Sequence, residues 1–199
     1  MKRRPVLRIF LPIFFLLAHV TPLAARMWTA DFHVTVLSTK VQKIEFSGKF
    51  YQKDLRVRFE PTGSEEINLF DFERSVGIRI FPSDRIYFEK PLTRARILKA
   101  IKEGWILPES PYREERIFLR GGEVKGRKAH LYLIIIVTDG EKNYSLRWEL
   151  DDEEAVPIKV IYPSSGRETI IVEYNHIEIR PIDAGIFQPP KDFLNLNPF

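Results

Sequence analysis

The 199-residue chain has no cysteine, which excludes a disulfide framework, thiolate metal ligands and a cysteine nucleophile together. Histidine is also scarce, with four in the whole chain. His33, His130 and His176 stand far apart on segments that read as strands, with no metal-ligand spacing between them. No Gly-x-Ser-x-Gly elbow is present, and Ser164 and Ser165 belong to a turn sequence. The acidic run Asp151, Asp152, Glu153 and Glu154 lacks the interleaved oxygen donors and glycine of a cation loop and reads as a solvated turn. There is no internal repeat and no low-complexity segment, and no apolar run approaches the ~20 residues of a membrane-spanning helix. These absences point away from an enzyme and from a bound cofactor or metal. A hydrolase with scattered acids in a cleft stays open only as the weakest of three readings.

What is present begins with a tripartite leader. Lys2, Arg3, Arg4 and Arg8 precede IFLPIFFLLAHV, and TPLAA supplies small residues after it. The pattern predicts a secretory signal peptide over 1–25, cleaved near Ala25, and one mature domain over 26–199. The four leader cations account for the whole formal charge of +4, so the mature chain is neutral. Nucleic acid is therefore not an expected partner. With no cysteine after the leader, a free periplasmic protein is expected rather than an acylated one.

The mature chain alternates apolar and polar residues with a period of two. Phe32, Val34 and Val36 alternate with Asp31, His33 and Thr35. Ile44, Phe46, Gly48 and Phe50 share one face of the next strand, and Leu55, Val57 and Phe59 one face of the third, with Lys53 and Asp54 turning between them. EINLFDF, VGIRIF and RIYFEK complete six strands in about sixty residues, the spacing of an antiparallel meander. After the interruption at 91–115, EERIFLR, KAHLYLIIIVT, NYSLRWELD, PIKVIYP and ETIIVEYNHIEI add five more. Leu131 to Val137 is apolar on both faces and reads as a central strand. Eleven strands either close into a barrel or stay open as a curved sheet, and periodicity alone does not choose.

The interruption LTRARILKAIKEGW gains helix formers, with Thr93 as N-cap and Gly104 as stop. At 100° per residue Ile97, Leu98 and Ile101 share one arc and Arg96, Lys99 and Lys102 a neighbouring one. This is an amphipathic, cationic helix. Phenylalanine is abundant, 15 residues, and Phe46, Phe50, Phe59, Phe72, Phe81 and Phe88 lie on the alternating faces. One reading is a filled sandwich core. The other is an incompletely filled curved sheet whose side chains line a pocket for an apolar ligand. The helix would then be a lid, with Arg96, Lys99 and Lys102 placed to contact a head group.

The segments WTADFHVTV, FSGKFYQKDLRVRFE, IYFEKP, GEVKGRKAHLYLII, RWELDDEEAVPIKV and DAGIFQPPKDF occur in an order that resembles the LolA-like periplasmic lipoprotein-carrier superfamily. The likeness is to its branch of small exported, outer-membrane lipoprotein-sorting-like proteins of unknown function. The resemblance implies a mainly β fold: a curved antiparallel half-barrel, an unclosed β-barrel of about eleven strands with a short helical lid. It implies a hydrophobic cavity binding a lipid or the acyl chains of a lipoprotein, with an envelope membrane-protein partner. Carried over by position, Phe46, Phe50, Val57 and Phe59 would line the concave side, Ile97, Leu98 and Ile101 the lid, and Trp148 the later half of the sheet. Phe88, Leu131 and Leu133 are further cavity candidates. The sequence departs from the carriers in having only Arg26 to Thr29 before the Ala-Asp-Phe strand, where they begin with a helix. The alternative expectation is a non-enzymatic envelope interaction module with a filled core.

Overall fold

The computed structural model describes residues 27–38, 43–93, 114–138, 141–152, 155–163 and 168–197. The expected leader and lid helix, the latter with Arg96, Ile97, Leu98, Lys99, Ile101 and Lys102, lie outside the described residues.

The strands are β1 Met27–Ser38, β2 Ile44–Lys53, β3 Arg56–Pro61, β4 Ile67–Asp71, β5 Val76–Phe81 and β6 Ile86–Pro91, followed by β7 Glu114–Val124, β8 Arg127–Thr138, β9 Glu141–Leu150, β10 Pro157–Pro163, β11 Glu168–Ile179 and β12 Leu194–Asn195. They form one sheet in the order β12-β6-β5-β4-β3-β2-β1-β11-β10-β9-β8-β7. All pairings are antiparallel except the short parallel contact of β12 with β6. Two meanders thus meet at the β1–β11 seam, and β6 and β7, consecutive in the chain, lie near opposite ends. The ends do not pair with each other, so the barrel is unclosed. The first eleven strands match those read from the alternation; β12 is too short for any periodic signal.

Register sorts the side chains onto two faces. Ala30 opposes Phe50 and Phe50 opposes Phe59, while Val34 opposes Val172 and Val172 opposes Val160. All of these share the inner face, and each is buried. The sheet coils strongly. Three strand spacings separate β8 from β11, about 14 Å in a flat sheet, yet Lys125 in the β7–β8 turn donates to Asn175 of β11 at 2.6 Å. Coiling by right-handed twist brings the hairpin tip back over the sheet.

Beyond β3 the outer face becomes apolar as well. Leu69 opposes both Arg58 and Ile78, and Ile67 opposes Ile80, so Leu69, Ile78 and Ile80 form a second cluster on the outer face, packed with Tyr87 and Phe193. The C-terminal segment covers it. Lys53 Nζ and Arg58 Nη1 donate to the carbonyls of Ile182 and Ile186 at 3.3 and 2.6 Å. Asp183 caps the 3-10 turn Ala184–Phe187 by accepting from the Gly185 N–H at 3.1 Å. The segment ends as β12, with backbone donors of Leu194 and Leu196 on the carbonyls of Arg85 and Tyr87, both at 2.9 Å.

Candidate functional site

The inner face is built first from aromatic residues that β1, β2 and β3 present at every second position. Trp28 and Phe50 are 4.5 Å apart between ring centroids, Phe50 and Phe59 5.1 Å, Phe32 and Phe59 5.9 Å, and Phe32 and Phe46 6.2 Å. Most meet edge to face, the arrangement that matches ring edges to ring faces. Tyr174 of β11 joins this group, 5.1 Å from Trp28 and 5.2 Å from Phe50. Gly48 allows the close fit, because a Cβ there would meet the Glu60 carbonyl oxygen at 2.2 Å and the Phe32 ring at 2.8 Å. Trp28 Nε1 donates to Gln52 Oε1 at 2.9 Å, so the one polar atom of the indole is satisfied inside the apolar sector.

The same face turns polar on the later strands. Val160 opposes Arg147, and Arg147 opposes Tyr132, which places Arg147, Glu149 and Ser145 of β9 on the side of Phe50. The Arg147 and Glu149 side chains are only 5% and 3% exposed. Arg147 Nη2 meets Glu114 Oε1 at 3.2 Å and its Nη1 lies 3.6 Å from Glu149 Oε1. Glu149 is bound in turn by Arg116, whose guanidinium lies 4.8 Å over the Tyr132 ring. Among the described residues two cations and two carboxylates therefore alternate and sum to zero charge. Burial disfavours the Arg147 cation, but Glu114, Tyr162 and Glu149 outweigh it and its pKa moves up. Burial also pushes the Tyr162 hydroxyl up to about 12 and that of Tyr174 well above its ordinary value. Both phenols therefore stay protonated at neutral pH.

The sequence candidates divide. Phe46, Phe50, Val57 and Phe59 come together on the inner face, Phe46 half-buried and the others buried. Phe88 is on the inner side of β6 but packs with Phe81 at 5.8 Å, away from the main group. Leu131 opposes Trp148 and Leu133 opposes Leu146, so Leu131, Leu133 and Trp148 lie on the face opposite Phe50. A strand that is apolar on both faces carries no alternation from which to choose a side. Sequence reading missed Arg147, Glu149, Tyr162 and Tyr174. The one available signal was a charged pair, Arg147 and Glu149, two residues apart on a segment read as a strand.

The histidines do not converge. His33 lies 3.3 Å from Glu45, His130 3.6 Å from Asp151, and His176 Nδ1 2.7 Å from Asp31 Oδ2. His176 sits at a register irregularity with φ of 48°, which aims its ring at Asp31. The Asp31 carboxyl is held below its ordinary value by hydrogen bonds from Lys49 first and His176 second. Among the described residues no group of three or more His, Cys, Asp or Glu is placed to hold a metal ion. A cleft of about 310 Å³ opens beside this irregularity, with Lys125, Arg127 and His176 around Ile158, Tyr174 and Ile177.

No family model matches the chain, and no curated protein matches it in sequence. Among solved structures the chain is similar to a LolA superfamily protein from Nitrosomonas europaea, at 9% identity and a TM-score of 0.46, covering 83% of this chain and 91% of that one. It is similar to an outer membrane lipoprotein-sorting protein domain from Vibrio parahaemolyticus at 7% identity and a TM-score of 0.42, covering 82% and 89%. A further similarity is to PNGF-II, at 8% identity and a TM-score of 0.43, where 86% of this chain spans 31% of that longer one.

Proposed function

We propose that the protein is a periplasmic binding or carrier protein that holds the acyl chains of a lipid or lipoprotein on the inner face of the half-barrel. The observation that carries this reading is the division of that face. Trp28, Phe32, Phe50 and Phe59 form an aromatic sector, and Arg147, Glu149, Glu114 and Tyr162 form a polar one beside it. A core that served stability alone gains little from buried ion pairs, which hydrophobic residues of similar volume replace at no loss. An amphiphile has both chemistries joined end to end. Export follows from the basic-then-apolar leader. Chain binding falls to Phe46, Phe50, Val57 and Phe59, with Ile97, Leu98 and Ile101 as lid and Arg96, Lys99 and Lys102 as head-group contacts.

The test is a native against a denaturing mass spectrum of the chain from Arg26, expressed in a periplasm and purified without detergent. A noncovalent lipid adduct is expected. A folded protein that stays ligand-free after incubation with phospholipid vesicles would sink the proposal.

A second reading, an interaction module of an envelope assembly, has one specific observation behind it. The edge strand β7 exposes Ile117, Phe118 and Leu119, Phe118 to 56%, and an unpaired apolar edge is a template for another strand.

A further inference from the structure

We propose that the Tyr174 hydroxyl, beside Arg147, reads the carbonyl oxygen of an acyl ester or amide, so that the site selects acylated molecules over ether-linked ones and over free fatty acids. The inference rests on the acyl-binding reading above and names the ligand class for it.

Tyr174 is 2% exposed, and its hydroxyl is a buried polar atom with no hydrogen-bond partner among the described residues. Buried hydroxyls are almost always paired, because leaving one unpaired forfeits its hydration without return. The ring cannot swing to find a partner, since Trp28 and Phe50 hold it at 5.1 and 5.2 Å. Burial keeps the hydroxyl protonated, so it is a fixed donor awaiting an acceptor. Its electrostatic neighbours are Tyr162 and Arg147, which places the donor where the aromatic and polar sectors meet.

Charge decides which acceptor fits. Arg147 is already matched by Glu114 at 3.2 Å and Glu149 at 3.6 Å, and with Arg116 the set sums to zero among the described residues. A carboxylate from a free fatty acid would have to shed its hydration at a site whose nearby cation, Arg147, is already held by Glu114 and Glu149, which is unfavourable at low dielectric. A neutral carbonyl oxygen accepts the phenol proton without adding charge. In an acyl ester or amide that oxygen lies between the chain and the head group, the same order in which the two sectors are arranged. An ether oxygen at that place is a far weaker acceptor and leaves the hydroxyl unpaired.

The experiment is a displacement titration of a bound fluorescent fatty acyl probe, using the folded mature chain and ligands of one chain length. Monopalmitoylglycerol, the hexadecyl ether of glycerol, palmitate and an N-palmitoyl peptide amide are compared. The ester should bind about five- to tenfold more tightly than the ether, the worth of one added hydrogen bond, and more tightly than palmitate. Tyr174→Phe should erase the ester preference, leave ether binding unchanged and keep the urea midpoint at or above wild type. Ester and amide arms separate a glycerolipid from an N-acylated lipoprotein as the source. Equal binding of ester and ether by the wild type, or an ester preference that survives in Tyr174→Phe, overturns the inference while acyl binding stands. If no member of the series binds, the acyl-binding reading fails and this one with it.

Discussion

Gly48→Ala tests whether the inner face is packed as tightly as the geometry states. Gly48 is buried on β2 opposite Pro61 and Phe32. An added Cβ would lie 2.2 Å from the Glu60 carbonyl oxygen, 2.8 Å from the Pro61 Cα and 2.8 Å from a Phe32 ring carbon. Two of these three atoms are backbone, so a rotamer change cannot relieve them and β3 must move away from β2. The Thr62 N–H to Ser47 carbonyl bond at 2.7 Å would be lost with that movement. Overpacking of this kind costs typically 1–3 kcal/mol, and backbone contacts place this site near about 3 kcal/mol. With a urea slope of about 2 kcal/mol/M, the midpoint should fall by roughly 1.5 M with an unchanged slope. Equilibrium urea unfolding followed by tryptophan fluorescence reads this directly. Gly63→Ala is the control: it has φ of 75° but nothing within 4 Å of a Cβ, so it carries only local strain. A Gly48→Ala midpoint equal to wild type would refute the packing argument, because no rearrangement of side chains alone could absorb the contact.

Two further outcomes follow. Arg147→Met leaves Glu114 and Glu149 without their shared counter-charge and should destabilise by about 3–5 kcal/mol. The double variant Arg147→Met/Glu149→Leu should recover much of that loss, since it removes one charge of each sign and leaves no excess carboxylate in the set; additive costs in the cycle would show that the pair does not interact. Stability should also fall in acid. The carboxyl of Asp31 is lowered by its hydrogen bonds from Lys49 and His176, and that of Asp192 by Arg85. A folded-state pKa below the unfolded value means the unfolded chain binds more protons, so this stabilisation is complete above about pH 5 and disappears as pH falls through the lowered folded values. Urea midpoints at about pH 6 and about pH 3 measure it, with a shallower slope in Asp31→Asn; a slope unaltered by that variant would sink the assignment to Asp31.

How far the sequence could be read depended on whether each strand has one buried face. In Phe32 to Val36, Phe46 to Phe50 and Leu55 to Phe59 the apolar residues, with Gly48 among them, fall at every second position, so the existence and buried side of these strands were legible, although β1 begins earlier, at Met27. In Leu131 to Val137 both faces are apolar, and the side taken by Leu131 and Leu133 was settled only by pairing through Trp148 and Arg147. The outer cluster of Leu69, Ile78 and Ile80 was equally hidden, because its cover is Phe193, more than a hundred residues away in the chain. The polar sector escaped for a related reason: Arg147 looks like any solvent-facing arginine until Glu114 and Glu149 are folded around it.

The alternation of apolar and polar residues and the turn sequences by themselves determined a mainly antiparallel β domain with an aromatic face. These are local properties, set by the two-residue period of a strand and by the few residues that favour tight turns. Strand order, the coil that brings Lys125 to Asn175, the unclosed edges and the packing of Tyr174 against Trp28 and Phe50 were decided by the tertiary structure. Each depends on which distant segments pair and how far the sheet twists, and no period along the chain records that choice.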